Sequence, residues 1–349
     1  MMPAMSSASV PSSSPFAVPL SILDLSPICE GGDAGQSFRN SLALAQHGEQ
    51  LGFTRYWLAE HHGMPGIASA ATSTLLAFVG AGTQSIRIGA GGVMLPNHSP
   101  LVIAEQYGTL EALFPGRIDL GLGRAPGSDG ATARALRRDQ HEAAERFPQD
   151  VVELMDFMSA EPRQRVLAVP GVGSEVPVWM LGSSTFGAQL AAHLGLPYAF
   201  ASHFAPQLLM PALQLYREHF KPSGRPGALT QPHVMLGFNV FAAETEAEAN
   251  LLASSWQQAF VNLRSGRPGQ LPPPRAGYRD TLDEPANAML DGVLSCAAIG
   301  TPDQVREKVL DFVGRTGANE LMITTQVFDP AARRRSYTLL AEALRKANS

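Results

Sequence analysis

The chain is short of cysteine, lysine and charge, and each shortage narrows what it can do. Only two cysteines occur, Cys29 and Cys296, far apart and outside any CxxC pair. That excludes a disulfide framework or a cysteine-rich metal site, and two reduced thiols in a cytoplasmic protein are expected. No stretch reaches the roughly 18 consecutive apolar residues that a membrane span needs. Lysine appears at Lys221, Lys308 and Lys346 alone, so nearly all of the 26 basic residues are arginine. Set against 31 acidic residues they leave a net charge of −5 with no basic block, which argues against a nucleic-acid surface. No basic residue precedes Arg39, and Met1 to Pro15 hold six serines and three prolines. A secretory signal needs a basic start and an apolar run, and neither is there. Residues 1–17 read as a disordered tail outside the fold.

Apolar residues, by contrast, make up 45% of the 349, enough for a large core. At roughly 150 residues per domain the length suggests about two domains, although an α/β barrel can use all of it as one. Short apolar runs alternate with helical patterns. Strands are expected at 20–25, 56–59, 86–95, 117–122, 178–182, 198–202, 234–242 and 320–325. Amphipathic helices are expected at 36–51, 150–158, 207–220, 246–263 and 302–313, the last capped by Thr301 with Pro302 at its first position. Alternation of this kind means parallel strands joined by crossovers. Eight strands suit a (β/α)8 TIM barrel, while six or seven would suit a doubly wound sheet. Residues 18–349 are therefore read as one barrel. Its rhythm breaks at about 265–300, a Pro- and Gly-rich insertion between the seventh and eighth strands. Between Gly63 and Ala104 only Arg87 is charged. A helix at 67–82 thus has no polar face for water and is covered by the protein's own loops or by a second subunit.

In a barrel, chemistry sits just past the C-terminal ends of the strands. The candidates there are Glu60-His61-His62, Pro96-Asn97-His98, Gly123-Arg124 with the loop to Asp129, Ser183-Ser184-Thr185, and Ser202-His203. Glu60-His61-His62 reads as half a metal site, as buried structural imidazoles, or as an acid/base at His61. Adjacent side chains on extended backbone point in opposite directions, so no metal is assigned. The GLGRAPG run at 121–127 resembles a dinucleotide fingerprint but carries its third glycine one place late and Pro126 where a helix should start. It is better read as a loop that brings Arg124 to an anion, unless Arg124 is tied to Asp129. Three hydroxyl residues, Ser183, Ser184 and Thr185, open a helix whose free N–H groups suit a phosphate. They stand on the strand next to Arg124.

Taken together, YWLAEHHGMPGIASAATS from Tyr56, GAGGVMLPNHSPLVIAEQYGTLEALFPGRIDLGLGRAPGSD, PVWMLGSST and LGLPYAFASHFAP resemble the bacterial luciferase-like flavin monooxygenases, in particular their alkanal-monooxygenase-like subgroup. The resemblance runs from about Pro19 to the C-terminal helix. It implies a (β/α)8 barrel with an insertion before the last strand. It also implies reduced FMN delivered by a separate flavin reductase, which with O2 oxygenates a small apolar substrate. By position, His61 matches the family's acid/base histidine and Arg124 the arginine on the FMN phosphate. Ser184 and Thr185 fall on the phosphate turn, and Ser183 faces the flavin. Gly91-Gly92 fall where the family often has a non-proline cis peptide under the flavin ring. Glu60, Asn97, His98, Ser202 and His203 are pocket candidates, with His98 and His203 left open between catalysis and structure. Leu25, Trp179, Phe200 and Phe204 are expected as apolar walls. Dimers through the second and third helices also occur in the family. This chain departs from light-emitting luciferase at Gly123, where a reactive cysteine would stand, and at Ser183, where a glutamate would. Both changes weaken a claim of light emission or of a long-chain aldehyde substrate. Two alternatives stay open: an F420-dependent hydride-transfer enzyme, and a flavin-binding protein without turnover.

Overall fold

The computed structural model describes residues 18–124, 130–136, 140–225 and 227–345; the tail at 1–17 and the loop at 125–129 lie outside them. The strands are β1 (Leu20–Asp24), β2 (Arg55–Leu58), β3 (Arg87–Met94), β4 (Ile118–Gly123), β5 (Val178–Gly182), β6 (Tyr198–Phe200), β7 (Val234–Ala242), β8 (Ala297–Gly300) and β9 (Glu320–Thr324). Between them run the helices α1 (Ala34–Gln50), α2 (Thr72–Ala81), α3 (Pro100–Leu113), α4 (Gly130–Ala135), α5 (Gln140–Phe157), α6 (Thr185–Leu194), α7 (Leu209–His219), α8 (Glu246–Arg264), α9 (Glu284–Leu294), α10 (Pro302–Thr316) and α11 (Pro330–Arg345).

All strand pairings are parallel, and β1 to β7 with β9 close on themselves as an eight-stranded (β/α)8 barrel. Each of the eight expected strands is present. The ninth, β8, lies inside the insertion and pairs with the far half of β7, Asn239 opposite Ala297. The insertion also contains α9, capped at its start by Asp283, whose side chain accepts the Ala286 N–H. Two expected helices differ at their starts. Helix α5 begins ten residues before the expected Asp150 and carries Pro148 inside it. Helix α2 begins at Thr72, because Ile67 is held in a bridge to Pro27 instead. No helix among the described residues is long and apolar enough to cross a membrane.

Side chains alternate along each strand. Outward positions such as Ile22, Tyr56, Ile88, Leu120 and Met180 pack under the helices. Inward positions such as Leu23, Trp57, Trp179, Met235 and Met322 fill the barrel. Strand β7 is buried along its whole length, as a parallel strand covered on both faces must be. Outside the barrel, Arg333 of α11 reaches the sealed carboxylate of Asp24 at 2.9 Å, which ties the last helix to the first strand. Burial works to raise the Asp24 pKa, but Arg333 and hydroxyl donors bring it below the usual value.

Inside, the N-terminal layer is ionic. Arg55 spans Asp119 at 2.8 Å and Glu320 at 2.7 Å, and Arg87 meets Asp119 at 2.6 Å. Trp57 donates its indole N–H to Asp119, and Ser21 its hydroxyl to Glu320. This layer closes the end of the barrel opposite the strand ends where chemistry was expected.

Candidate functional site

The C-terminal strand ends gather the sequence candidates on one rim. Glu60 is buried after β2 and acts as a hub: its Oε1 accepts His62 Nε2 at 2.8 Å and His98 Nε2 at 2.7 Å. Its Oε2 accepts the Met94 backbone N–H at 3.2 Å. Burial alone would raise its pKa, yet the hydrogen bonds from His62 and His98 help lower it to about 2. Glu60, His62 and His98 present ligand atoms within 4.8 Å of one another. Both imidazoles, however, point at the same carboxylate oxygen, so ordinary N–H donation accounts for the cluster. Its place is to tie β2 to the segment after β3, where Asn97 is also buried and partnered.

The alternation along extended backbone sends His61 the other way, into the row begun by Trp57 and Ala59. Its Nδ1 is sealed from solvent without a partner. Burial lowers its pKa, so the ring is neutral at physiological pH. His203, after β6, stands in the same electrostatic environment. Burial, with His61 beside it, pushes its pKa down to about 4, and its Nδ1 is likewise unpartnered. Gly237 makes room for this ring, since a Cβ there would lie 2.0 Å from His203 Nδ1. Ser202 is fully buried and donates to the Gly237 carbonyl at 2.7 Å; it pins β6 to β7 and does not face the pocket.

On the other side of the mouth the barrel is built of glycine. Strand β3 bulges between Ala90 and Val93, and the Gly91-Gly92 peptide bond is cis. Beside it β4 approaches so closely that a Cβ on Gly92 would stand 2.7 Å from the Gly121 carbonyl oxygen. A Cβ on Gly123 would meet only the Val93 carbonyl, at 3.9 Å, so the next level up is open. There the Arg124 guanidinium lies 4.0 Å from the centre of the Phe186 ring. Phe186 is the second residue of α6, so Arg124 reaches the α6 N-terminus. Ser184 caps that helix through its backbone conformation while its side chain caps nothing, and Thr185 follows it. Ser183 is exposed beside them. An anion here would meet an arginine fork, free N–H groups and hydroxyls at once. The alternative partner, Asp129, lies outside the described residues.

Two expected walls stand elsewhere. Trp179 is near the start of β5 and meets Arg55 and His233 at the N-terminal end. Phe200 points outward under the helices. Leu25 does border the barrel interior, and Phe204 packs on Phe260 at the rim. The insertion folds across the mouth: Leu271 exchanges backbone hydrogen bonds with Ile28 and Glu30. Sequence reasoning missed Asn239 and Thr324, inward polar residues of β7 and β9 whose Oδ1 and Oγ1 are buried without partners. The signal was there, as Asn239 is the single polar side chain in the run VMLGFNVFA.

The family model for luciferase-like monooxygenases matches residues 18–320. A protein of Escherichia coli K12 called luciferase-like monooxygenase is 51% identical over 323 residues, covering 92% of this chain and 96% of that one. The crystal structure of apo-MsnO8 superposes with a TM-score of 0.83 at 34% identity, covering 93% of this chain and 98% of that one. The oxygenating constituent of 3,6-diketocamphane monooxygenase from Pseudomonas putida, solved with FMN, shares the fold with a TM-score of 0.71 at 17% identity, over 95% and 100% of the two chains.

Proposed function

The chain belongs to the luciferase-like monooxygenase family, and from that membership we propose a two-component, FMN-dependent monooxygenase. Reduced FMN comes from a separate flavin reductase, and one atom of O2 enters a small, largely apolar organic substrate. The observation that carries this reading is the meeting of Arg124 with the α6 N-terminus, next to the open position at Gly123.

The residues fit the cofactor. Arg124, Ser184 and Thr185 would hold the phosphate, Gly123 leaves space for a flat ring above the tightly packed Gly91-Gly92 peptide, and Ser183 would stand at its edge. When bound, reduced FMN supplies the electrons that activate O2. The chain supplies binding, orientation, a dry site and a proton acceptor. His61 Nδ1, neutral and aimed into the barrel, holds or returns a proton at the reacting group. The insertion laid over the mouth excludes water. A second copy of the chain is the proposed cover for α2 and α3, where Phe78, Val102 and Leu113 are exposed. A monomer in sedimentation equilibrium would reject that cover.

The test is a substrate screen with FMN, a flavin reductase and O2, following product mass for the gain of one oxygen. Arg124→Ala should weaken FMN binding by about 1.5–3 kcal/mol, the scale of a charged hydrogen bond, with an unchanged melting temperature. Unaltered FMN affinity rejects the phosphate clamp. Tight F420 binding without FMN binding would move the reading to hydride transfer. Bound reduced FMN that yields only H2O2 at the rate of free flavin would leave a binding protein without turnover.

A further inference from the structure

Four buried polar atoms at the C-terminal end of the barrel have no hydrogen-bond partner: His61 Nδ1, His203 Nδ1, Asn239 Oδ1 and Thr324 Oγ1. Three of them belong to residues joined by strand register and a hydrogen bond, His203, Asn239 and Thr324. Asn239 and Thr324 are opposite one another in the β7–β9 register. Asn239 Nδ2 donates to the His203 carbonyl at 2.7 Å. The same bond settles the amide orientation: only the NH2 can serve a carbonyl, so the unpartnered atom is the acceptor oxygen. A neutral imidazole can accept at Nδ1, so the buried His203 nitrogen can meet a donor. Thr324 accepts as well as donates. The one carboxylate nearby, Glu60, is taken up by His62, His98 and the Met94 N–H. The row thus holds one fixed acceptor, Asn239 Oδ1, beside two groups able to accept, and carries no formal charge.

Buried acceptors without donors are unfavourable, and native proteins rarely keep several together without a ligand or water to meet them. We propose that His203, Asn239 and Thr324 form the head-group subsite of the substrate, taking an uncharged O–H or N–H donor, such as a hydroxyl or a primary amide, at the end of an apolar molecule. The proposal rests on the C-terminal mouth being the oxygenation site. A carboxylate or sulfonate would set its charge against the Asn239 Oδ1 lone pairs with no cation in the row to offset it, and is disfavoured. A molecule of the same shape without the donor leaves the acceptors unmet, the situation in which polar sites discriminate most strongly.

The probes are octanamide, 1-octanol, N,N-dimethyloctanamide and octanoate, titrated into the full-length protein with and without FMN. Binding is read from tryptophan emission, because Trp57 and Trp179 stack edge-to-face at 5.4 Å inside the same barrel. Octanamide and 1-octanol should bind about 10-fold or more tighter than the dimethyl amide and octanoate. Thr324→Val should shrink that preference, and Thr324→Ser should restore it, which separates loss of the hydroxyl from misfolding. FMN affinity is followed separately by quenching of flavin emission. Equal binding of octanamide and its dimethyl derivative overturns the proposal, as does a preference that survives Thr324→Val. A Thr324→Val variant that loosens FMN in place of octanamide also overturns it, since the acceptors then serve the cofactor. Failure of FMN to bind while the donor preference persists removes the cofactor reading and leaves the head-group subsite standing.

Discussion

The two ends of the barrel are made by the same strands and treat buried polar groups in opposite ways. At the N-terminal end Arg55, Arg87, Asp119 and Glu320 are charged and paired with one another. At the C-terminal end His61, His203, Asn239 and Thr324 each bury one uncharged polar atom without a hydrogen-bond partner. The charges of the first end satisfy one another, although His233 Nε2 there is also buried without a hydrogen bond, while the second end gathers four such atoms among the described residues. Cavity size points the wrong way here. A groove of about 1040 Å³ opens at the N-terminal end, lined by Arg55, Asp119, Trp179 and His233 among others, yet its deepest charges already have partners. Unmet hydrogen-bonding capacity is the better guide, because a ligand gains most where buried groups lack partners.

The sharpest way to break this contrast is at Asp119. Asp119→Ala takes the shared partner from two arginines and should cost about 3–5 kcal/mol of stability in urea denaturation. A loss under about 1 kcal/mol, the scale of an exposed pair, would erase the distinction between the ends.

Acid should separate the two ends along the pH axis. His203, lowered to about 4 by burial and its neighbour His61, binds a proton less readily in the folded chain than in the unfolded one. The unfolded state therefore takes up protons first as pH falls from about 6.5 toward 4, and stability falls with it. Glu320 is raised by burial but brought below the normal carboxylate value by His233, Arg55 and Ser21. Its contribution is present above about 4.5 and is lost only at lower pH. Stability profiles for His203→Asn should flatten between about pH 4 and 6.5 and keep the drop below it. A variant profile that overlays the parent would place the loss elsewhere.

The smallest effect is expected from Thr324→Val. Removing an unpaired buried hydroxyl while keeping the shape should change stability by less than about 1 kcal/mol, and in the favourable direction. Marked destabilisation in the same urea assay would mean that the hydroxyl has a structural partner after all.

Much of this site is legible in the sequence alone. Glu60, His61, Arg124, Ser184 and Thr185 stand at strand ends, where a barrel collects its chemistry. Their positions follow from the β/α alternation alone. The walls are harder to read. Trp179 and Phe200 are both aromatic residues in apolar strands, and hydropathy cannot tell a residue near the N-terminal mouth from one facing the helices. Ser202 reads as a pocket hydroxyl, but the preceding turn directs it to the Gly237 carbonyl. Asn239 and Thr324 are hidden for the opposite reason, as single polar residues inside runs that read as core.

Periodicity, capping residues and the order of motifs determined the barrel, its insertion and the family, because these depend on local pattern and on which residue types stand together along the chain. The pairing of polar groups was decided only by the closed sheet. Asp119 finds Arg55 and Arg87, and His203 finds room at Gly237, because closure brings together strands far apart in sequence. Which polar atoms were left without a partner, and so where a ligand belongs, is a property of that three-dimensional arrangement.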